Sequence, residues 1–214
     1  MKNFIYLLFT FGLFLFVCSF GAKSTEIVEK SENAIESEKL NDTEEIKKLI
    51  IQVLTWADTV KSIDLLPVLT DTEGSFYIGF DMNKHKENLE TLSETGYFSI
   101  EFIENYNQII LTLDRKLRNH EYEYEWLVGD LPPFIFVSWW NGQERFPLQS
   151  SIIEVIDLNK TFGEFYFKCG NLEKCIGLEN YKMKVKVSKE ENKWKILYLE
   201  GFDFKESTRT DGEL

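Results

Sequence analysis

The sequence predicts an α+β fold in which N-terminal helices pack on a strongly curved antiparallel sheet. Through the front half, apolar residues recur at spacings of three and four; from Tyr122 onward they alternate with polar ones. Turn signals between the alternating runs make the strands antiparallel neighbours, and such a sheet needs its apolar face covered by the amphipathic helices.

At the N-terminus Met1-Lys2-Asn3 precedes an apolar run from Phe4 to Val17, followed by Cys18-Ser19-Phe20-Gly21-Ala22. One positive residue, a hydrophobic stretch and small residues before a polar chain form the pattern of a secretory signal peptide. The run is too short, and too abruptly followed by Lys, Ser, Thr and Glu, for a retained membrane span. Residues 1–21 are therefore expected to be removed, which puts the protein outside the cytoplasm, periplasmic or secreted. Ser19 and Gly21 stand three and one before that cut. The alternative is lipidation at Cys18, which would tether the chain to a membrane. Val17 stands where a lipoprotein box has Gly, Ala or Ser, and a Cys is an ordinary apolar member of a leader.

Residues 22–40 are rich in Glu, Ser, Lys and Asn with no sustained apolar face, the composition of a flexible tether. A single domain over residues 41–205 follows, and residues 206–214 have the composition of a flexible tail. Asp42-Thr43-Glu44-Glu45 is a capping-box-like start. Behind it Ile46, Leu49, Ile50, Val53, Leu54, Ala57 and Val60 form one helical face, with Trp56 at its margin. Leu66-Pro67 ends that pattern, and Gly74–Phe80 reads as a short strand. A second helix is expected over Asn83–Glu94, with Leu89 and Leu92 inward and a stop at Thr95-Gly96. Ser99 caps a third, whose stripe runs through Phe102, Ile103, Tyr106, Ile109, Ile110, Leu113 and Leu117. Asp114, Arg115, Lys116 and Arg118 then return the chain towards solvent.

Beyond Tyr122, Phe134–Trp140 reads as a strand meeting the hairpin signal Asn141-Gly142. Strands follow at Ser151–Ile156 and Thr161–Lys168, parted by Asp157-Leu158-Asn159-Lys160. In Tyr181–Val187 the alternation puts Tyr181, Met183, Val185 and Val187 on a covered face and the lysines outside. Lys189–Asn192 turns the chain, and Trp194–Leu199 returns.

Helices first, then long strands ending in Tyr181-Lys-Met-Lys-Val-Lys-Val187 and Lys193-Trp194-Lys195-Ile196, resemble the nuclear transport factor two-like cone fold. The leader, and the Thr95–Ser99 segment that opens a helix, resemble a branch of secreted bacterial domains of unassigned function. The resemblance covers about Asn41 to Phe204 and implies a bent sheet wrapped around helices, on which either an enzyme or a ligand-binding module can be built. No catalytic residue carries over from it.

The chain holds 36 acidic and 24 basic residues, a formal charge of −12, which repels phosphate backbones and argues against nucleic acid as a partner. Cys169 and Cys175 are expected to close a small disulfide loop in an oxidising compartment. Two thiols lack the further ligands a zinc site wants, and the spacing is not that of a thioredoxin-type centre. Asp71, Glu73 and Asp81 lack the spacing of a calcium loop. No metal and no cofactor is expected.

Asp130, in Gly129-Asp130-Leu131-Pro132-Pro133, is a pocket-mouth carboxylate or, more simply, a turn residue bonding its own backbone. Trp139 and Trp140 point to opposite faces of a strand, so one of them is an interaction candidate or packs under another segment. His85, in a polar helix start, reads as solvated, and His120 sits at a helix end where a charged imidazole is favourable. Neither belongs to a nucleophile arrangement. The expectation is therefore a non-catalytic extracytoplasmic binding module for a small apolar ligand, a peptide or an envelope protein, with membrane contact only through a lipidated Cys18. The alternative is a small hydrolase or isomerase with a buried Asp or His in the cone cavity.

Overall fold

The computed structural model describes residues 39–57, 63–121, 151–170 and 182–209. The chain divides into two units, Met1–Glu44 and Glu45–Leu214. In the first, residues 39–44 are helical, so Asp42 lies inside helix α1 (residues 39–57) rather than at its cap. The Thr43 hydroxyl donates to the Lys39 carbonyl, a bond made only where the backbone is already helical. In the second unit, Ile46, Leu49, Ile50, Val53 and Leu54 of α1 are buried at the expected spacing, and Trp56 and Ala57 lie partly buried beside them.

After Pro67 the chain pairs with itself. Strand β1 (Val68–Thr70) runs antiparallel to β2 (Tyr77–Phe80). Asp71 turns the connection by accepting the amides of Ser75 and Phe76 at 2.6 and 3.1 Å. Helix α2 (Met82–Thr95) is capped by Asp81, which accepts the amides of Asn83 and Lys84, and ends at Gly96 in the left-handed region. Its buried residues are His85, Asn88 and Leu92, while Leu89 is only partly buried. His85, expected in solvent, is 2% exposed, because it shares with Asn88 and Leu92 the side of α2 that is turned inward.

Helix α3 (Ile100–Arg118) begins at Ser99, whose hydroxyl accepts the Phe102 amide, and buries Phe102, Tyr106, Ile109, Ile110, Leu113 and Leu117. Asp114 does not simply return this helix to water. Its carboxylate accepts the Phe80 amide at 2.7 Å and Arg118 Nε at 2.9 Å, fastening β2 to α3. The close approach needs Gly79: at φ 153°, a Cβ there would stand 2.8 Å from Asp114 Oδ1 and 3.0 Å from the Arg118 guanidinium.

The main sheet runs in the order β3-β4-β5-β6, antiparallel throughout: β3 (Ser151–Leu158), β4 (Phe162–Cys169), β5 (Lys182–Glu190) and β6 (Lys193–Leu199). The fold is therefore α+β, and the last two strands pair as expected. Strand β3 reaches Leu158, beyond the expected end at Ile156, because a bulge between Val155 and Asp157 absorbs the extra residue. A second bulge, between Lys186 and Val187, sits on the β5–β6 pair. Bulges of this kind bend and twist a sheet. Glu191 and Asn192 both take positive φ, the geometry of the two-residue hairpin turn that matches strand twist.

The inner face carries Phe165, Phe167, Met183, Val185, Val187, Trp194, Ile196 and Leu199, all buried in one cluster with the apolar faces of the helices. Phe98 stacks on Phe102 at 4.8 Å, and Phe102 meets Phe202 at 5.1 Å. The α2–α3 connection is hooked to β6, since the Ser99 amide donates to the Ile196 carbonyl and the Ile196 amide to the Tyr97 carbonyl. Helix α4 (Phe204–Ser207) follows, capped by Asp203. Residues 206–209 are thus placed rather than part of a loose tail, with Ser207 and Thr208 buried. The Thr208 carbonyl takes a hydrogen bond from Lys116, which holds this segment to α3.

Outside the described residues lie the leader, the tether up to residue 38, residues 58–62 with Val60, residues 122–150 with the Phe134–Trp140 run and the Asn141-Gly142 turn, residues 171–181 with Tyr181, and residues 210–214. Asp130, Trp139, Trp140 and Cys175 fall there too. No helix among the described residues is long and apolar enough to cross a membrane.

Candidate functional site

Two polar constellations stand out against the apolar core. The first is buried where α2 meets α3. His85 Nε2 lies 2.8 Å from Asn107 Oδ1, so the ring donates from Nε2 and Nδ1 carries the lone pair. That Nδ1 is buried with no hydrogen-bond partner. The His85 ring stands edge-on to Tyr106 at 5.2 Å. The Tyr106 hydroxyl donates to the Leu65 carbonyl at 2.9 Å, and Asn88 Nδ2 donates to the Asp64 carbonyl at 2.6 Å. Burial raises the Tyr106 pKa, which keeps the phenol a neutral donor.

This constellation ties the 64–65 loop to both helices, and its His85, Asn88 and Tyr106 side chains are buried. It has a consequence for pH. Burial lowers the His85 pKa, and the hydrogen bond to Asn107 offsets this only in part. The folded state therefore holds a neutral ring while the unfolded chain takes up a proton near its ordinary value of about 6.5. The stability associated with His85 is complete above that value and is lost as pH falls through the window below it. Urea unfolding at pH 7.5 and 5.5 should show a drop for the native chain that is smaller in His85→Gln. Equal drops in both would refute the buried neutral imidazole.

The second constellation is an open recess of about 460 Å³ where α3, β6 and α4 converge. Phe162, Tyr198, Phe202 and Phe204 supply aromatic walls. Glu101 and Asp203 supply acids, Lys186 and Lys205 bases, and Asn105 and Leu197 complete the lining. Phe202 is anchored through its carbonyl, which accepts Asn105 Nδ2 at 2.8 Å, while Phe204 is 43% exposed. Leu197 is the extra residue of the β6 bulge, and it lines the recess. Burial raises the Tyr198 pKa, helped by the negative charges of Asp203 and Glu200, so its hydroxyl stays protonated and able to donate. Such a recess suits a ligand with an apolar body and charged ends.

Among the described residues, none of the candidate functional residues singled out in the sequence lines this recess. Cys169 ends β4, while Cys175, Asp130, Trp139 and Trp140 are outside the described residues. His120 is exposed past the end of α3, with φ 53°. Asp71 and Asp81 serve a turn and a helix cap. No metal-holding cluster occurs among the described residues. The recess was missed because the expected domain ends at residue 205, in the middle of α4, although Asp203-Phe-Lys-Glu206 carries a capping-box spacing: Asp203 accepts the Glu206 amide at 3.0 Å.

The described fold and recess define an α+β domain with a small amphiphilic pocket at the sheet's edge. Neither a protein-family model, nor a curated protein, nor a solved structure matches the chain.

Proposed function

We propose that the chain is an exported, non-catalytic interaction module that holds its ligand in the recess between α3, β6 and α4. One observation carries the reading: aromatic walls and charges of both signs converge on a volume within the usual range of roughly 300–1,000 Å³ for small-molecule sites. The ligand class is a small molecule or short peptide with an apolar body. Export rests on the leader pattern of residues 1–21, with cleavage after Gly21 preferred to lipidation at Cys18. In that compartment Cys169 and Cys175 form a disulfide, and the bulged sheet over helices is a cone of the nuclear transport factor two-like kind. Asp130, Trp139 and Trp140 are further contact candidates for a partner.

The enzyme alternative is favoured by one feature, the buried His85 with its unpartnered Nδ1. His85 does not line the recess and is 2% exposed, so a substrate in the recess has no route to it.

Amide chemical shifts of the processed protein, titrated with a panel of small aromatic acids, aromatic amines and dipeptides, test the binding reading. Saturable shifts are expected at Asn105, Leu197, Tyr198 and Asp203–Lys205. Phe204→Ala, which truncates a half-exposed wall, should weaken binding by about tenfold, since burying a ring is worth about 1.5–3 kcal/mol. No shift at millimolar concentration, or shifts indifferent to Phe204, would refute it.

A further inference from the structure

We propose that the recess between α3, β6 and α4 takes a short peptide with both termini free, its ammonium held by Glu101 and its carboxylate by Lys205. The inference rests on the interaction-module reading and narrows the ligand of that site to one chemistry.

Charge singles out these two residues. Four charged side chains line the recess, two of each sign. The fold already engages one of each. Lys186 pairs with Glu164 at 3.7 Å and lies over the Tyr198 ring at 5.5 Å. Asp203 caps α4 and accepts the Glu206 amide. That leaves Glu101, in the first turn of α3, and Lys205, on α4. Both side chains are exposed, and neither forms an ion pair or side-chain hydrogen bond among the described residues. They line the same recess without pairing with each other. A ligand with a single charge leaves one of the two unanswered, whereas a zwitterion answers both.

The remaining polar lining matches a peptide group. Asn105 Nδ2 donates to the Phe202 carbonyl at 2.8 Å, which fixes the orientation of the amide and leaves Oδ1 as an acceptor for a ligand. Burial and the charges of Asp203 and Glu200 keep the Tyr198 hydroxyl protonated, so it supplies a donor. One acceptor and one donor are what a peptide N–H and C=O require. A single amino acid lacks that group, and an aromatic acid or amine lacks one of the two charges. Phe162, Phe202 and Phe204 receive the apolar side chains. The volume of about 460 Å³ lies in the lower half of the usual range of roughly 300–1,000 Å³, which suits a peptide of a few residues.

The test titrates the processed chain with four forms of the dipeptide Phe-Leu: both termini free, N-acetylated, C-amidated, and blocked at both ends. The free form is expected to bind most tightly, and each block should weaken binding by about two- to fivefold, the range for an exposed ion pair. Substitution assigns the ends. In Glu101→Gln the penalty for acetylation should vanish while that for amidation stays, and Lys205→Gln should do the reverse. Tyr198→Phe removes the donor and should weaken all four forms alike, by about two- to tenfold. Raising the salt should shrink the terminal preferences.

Near-UV circular dichroism verifies that the variants fold, and the ranking of the four peptides on the native chain is an independent readout. Equal binding of the four forms, penalties that survive both charge substitutions, or tighter binding of a blocked form would each overturn the proposal. Small aromatic ligands separate the two readings. If they bind in a Phe204-dependent way while the peptide forms show no preference, only the peptide proposal falls. If nothing binds, the recess reading falls with it.

Discussion

Phe165→Ala is expected to destabilise the domain by about 3–5 kcal/mol, the range for truncating a fully buried ring. Phe165 is 0% exposed, paired with Val155 on one side and Val185 on the other, at the centre of the inner face of the sheet. Its ring also roofs Gly163, where an added Cβ would lie 2.5 Å from Phe165 Cε2. Truncation therefore leaves a cavity and uncovers backbone at the same time. The reciprocal change, Gly163→Ala, crowds the same ring and should cost about 1–3 kcal/mol. Urea unfolding measures both, and the melting temperature of Phe165→Ala should fall by roughly 2–4 °C per kcal/mol. A loss below about 1 kcal/mol would mean that this face of the sheet is not packed as described.

Asp114→Ala should cost about 1–3 kcal/mol, although the residue sits on a charged stretch at the end of a helix. The loss has a specific origin. The Phe80 amide is left without its acceptor beside a fully buried ring, and Arg118 loses the carboxylate that aims it at the Phe80 carbonyl. Asp114→Asn keeps an oxygen for the amide and should lose less. Hydrogen exchange at Phe80 reports the bond directly: faster exchange in the Ala variant and near-native protection in the Asn variant are expected. Unchanged protection in both would remove Asp114 from the link between β2 and α3.

Much of the fold was legible because it follows from period and punctuation. The α3 stripe, the Ser99 cap and the Gly96 stop are local, and each is where the spacing and capping residues put it. The β5–β6 hairpin was legible for the same reason, since alternation decides which face is covered. His85 was misread because a polar neighbourhood in sequence says nothing about which side of a helix meets another element. With Asn88 and Leu92 it forms one inward side, and a pattern search weighted to apolar residues sees only Leu92. Helix α4 was hidden by composition. Apart from Phe204 its residues are polar, but the Asp203 cap and the Lys116 bond to Thr208 hold them against α3.

The recess was not legible at all. Its lining comes from α3, the start of β4, the β5 and β6 bulge and the segment around α4, which share no sequence motif. The pairing of Glu164 with Lys184 and Lys186 was equally invisible, because it depends on strand register. A one-residue slip between β4 and β5 would turn Glu164 to the opposite face from Lys184 and Lys186.

By itself the sequence determined the kinds of element, their order and the face that each strand buries, because period, caps and turn residues act within a few positions of one another. Only the tertiary structure decided that a histidine would be enclosed and that a recess would form beside a bulge. Those outcomes depend on which segments meet and in what register, and contacts between distant residues leave no local pattern.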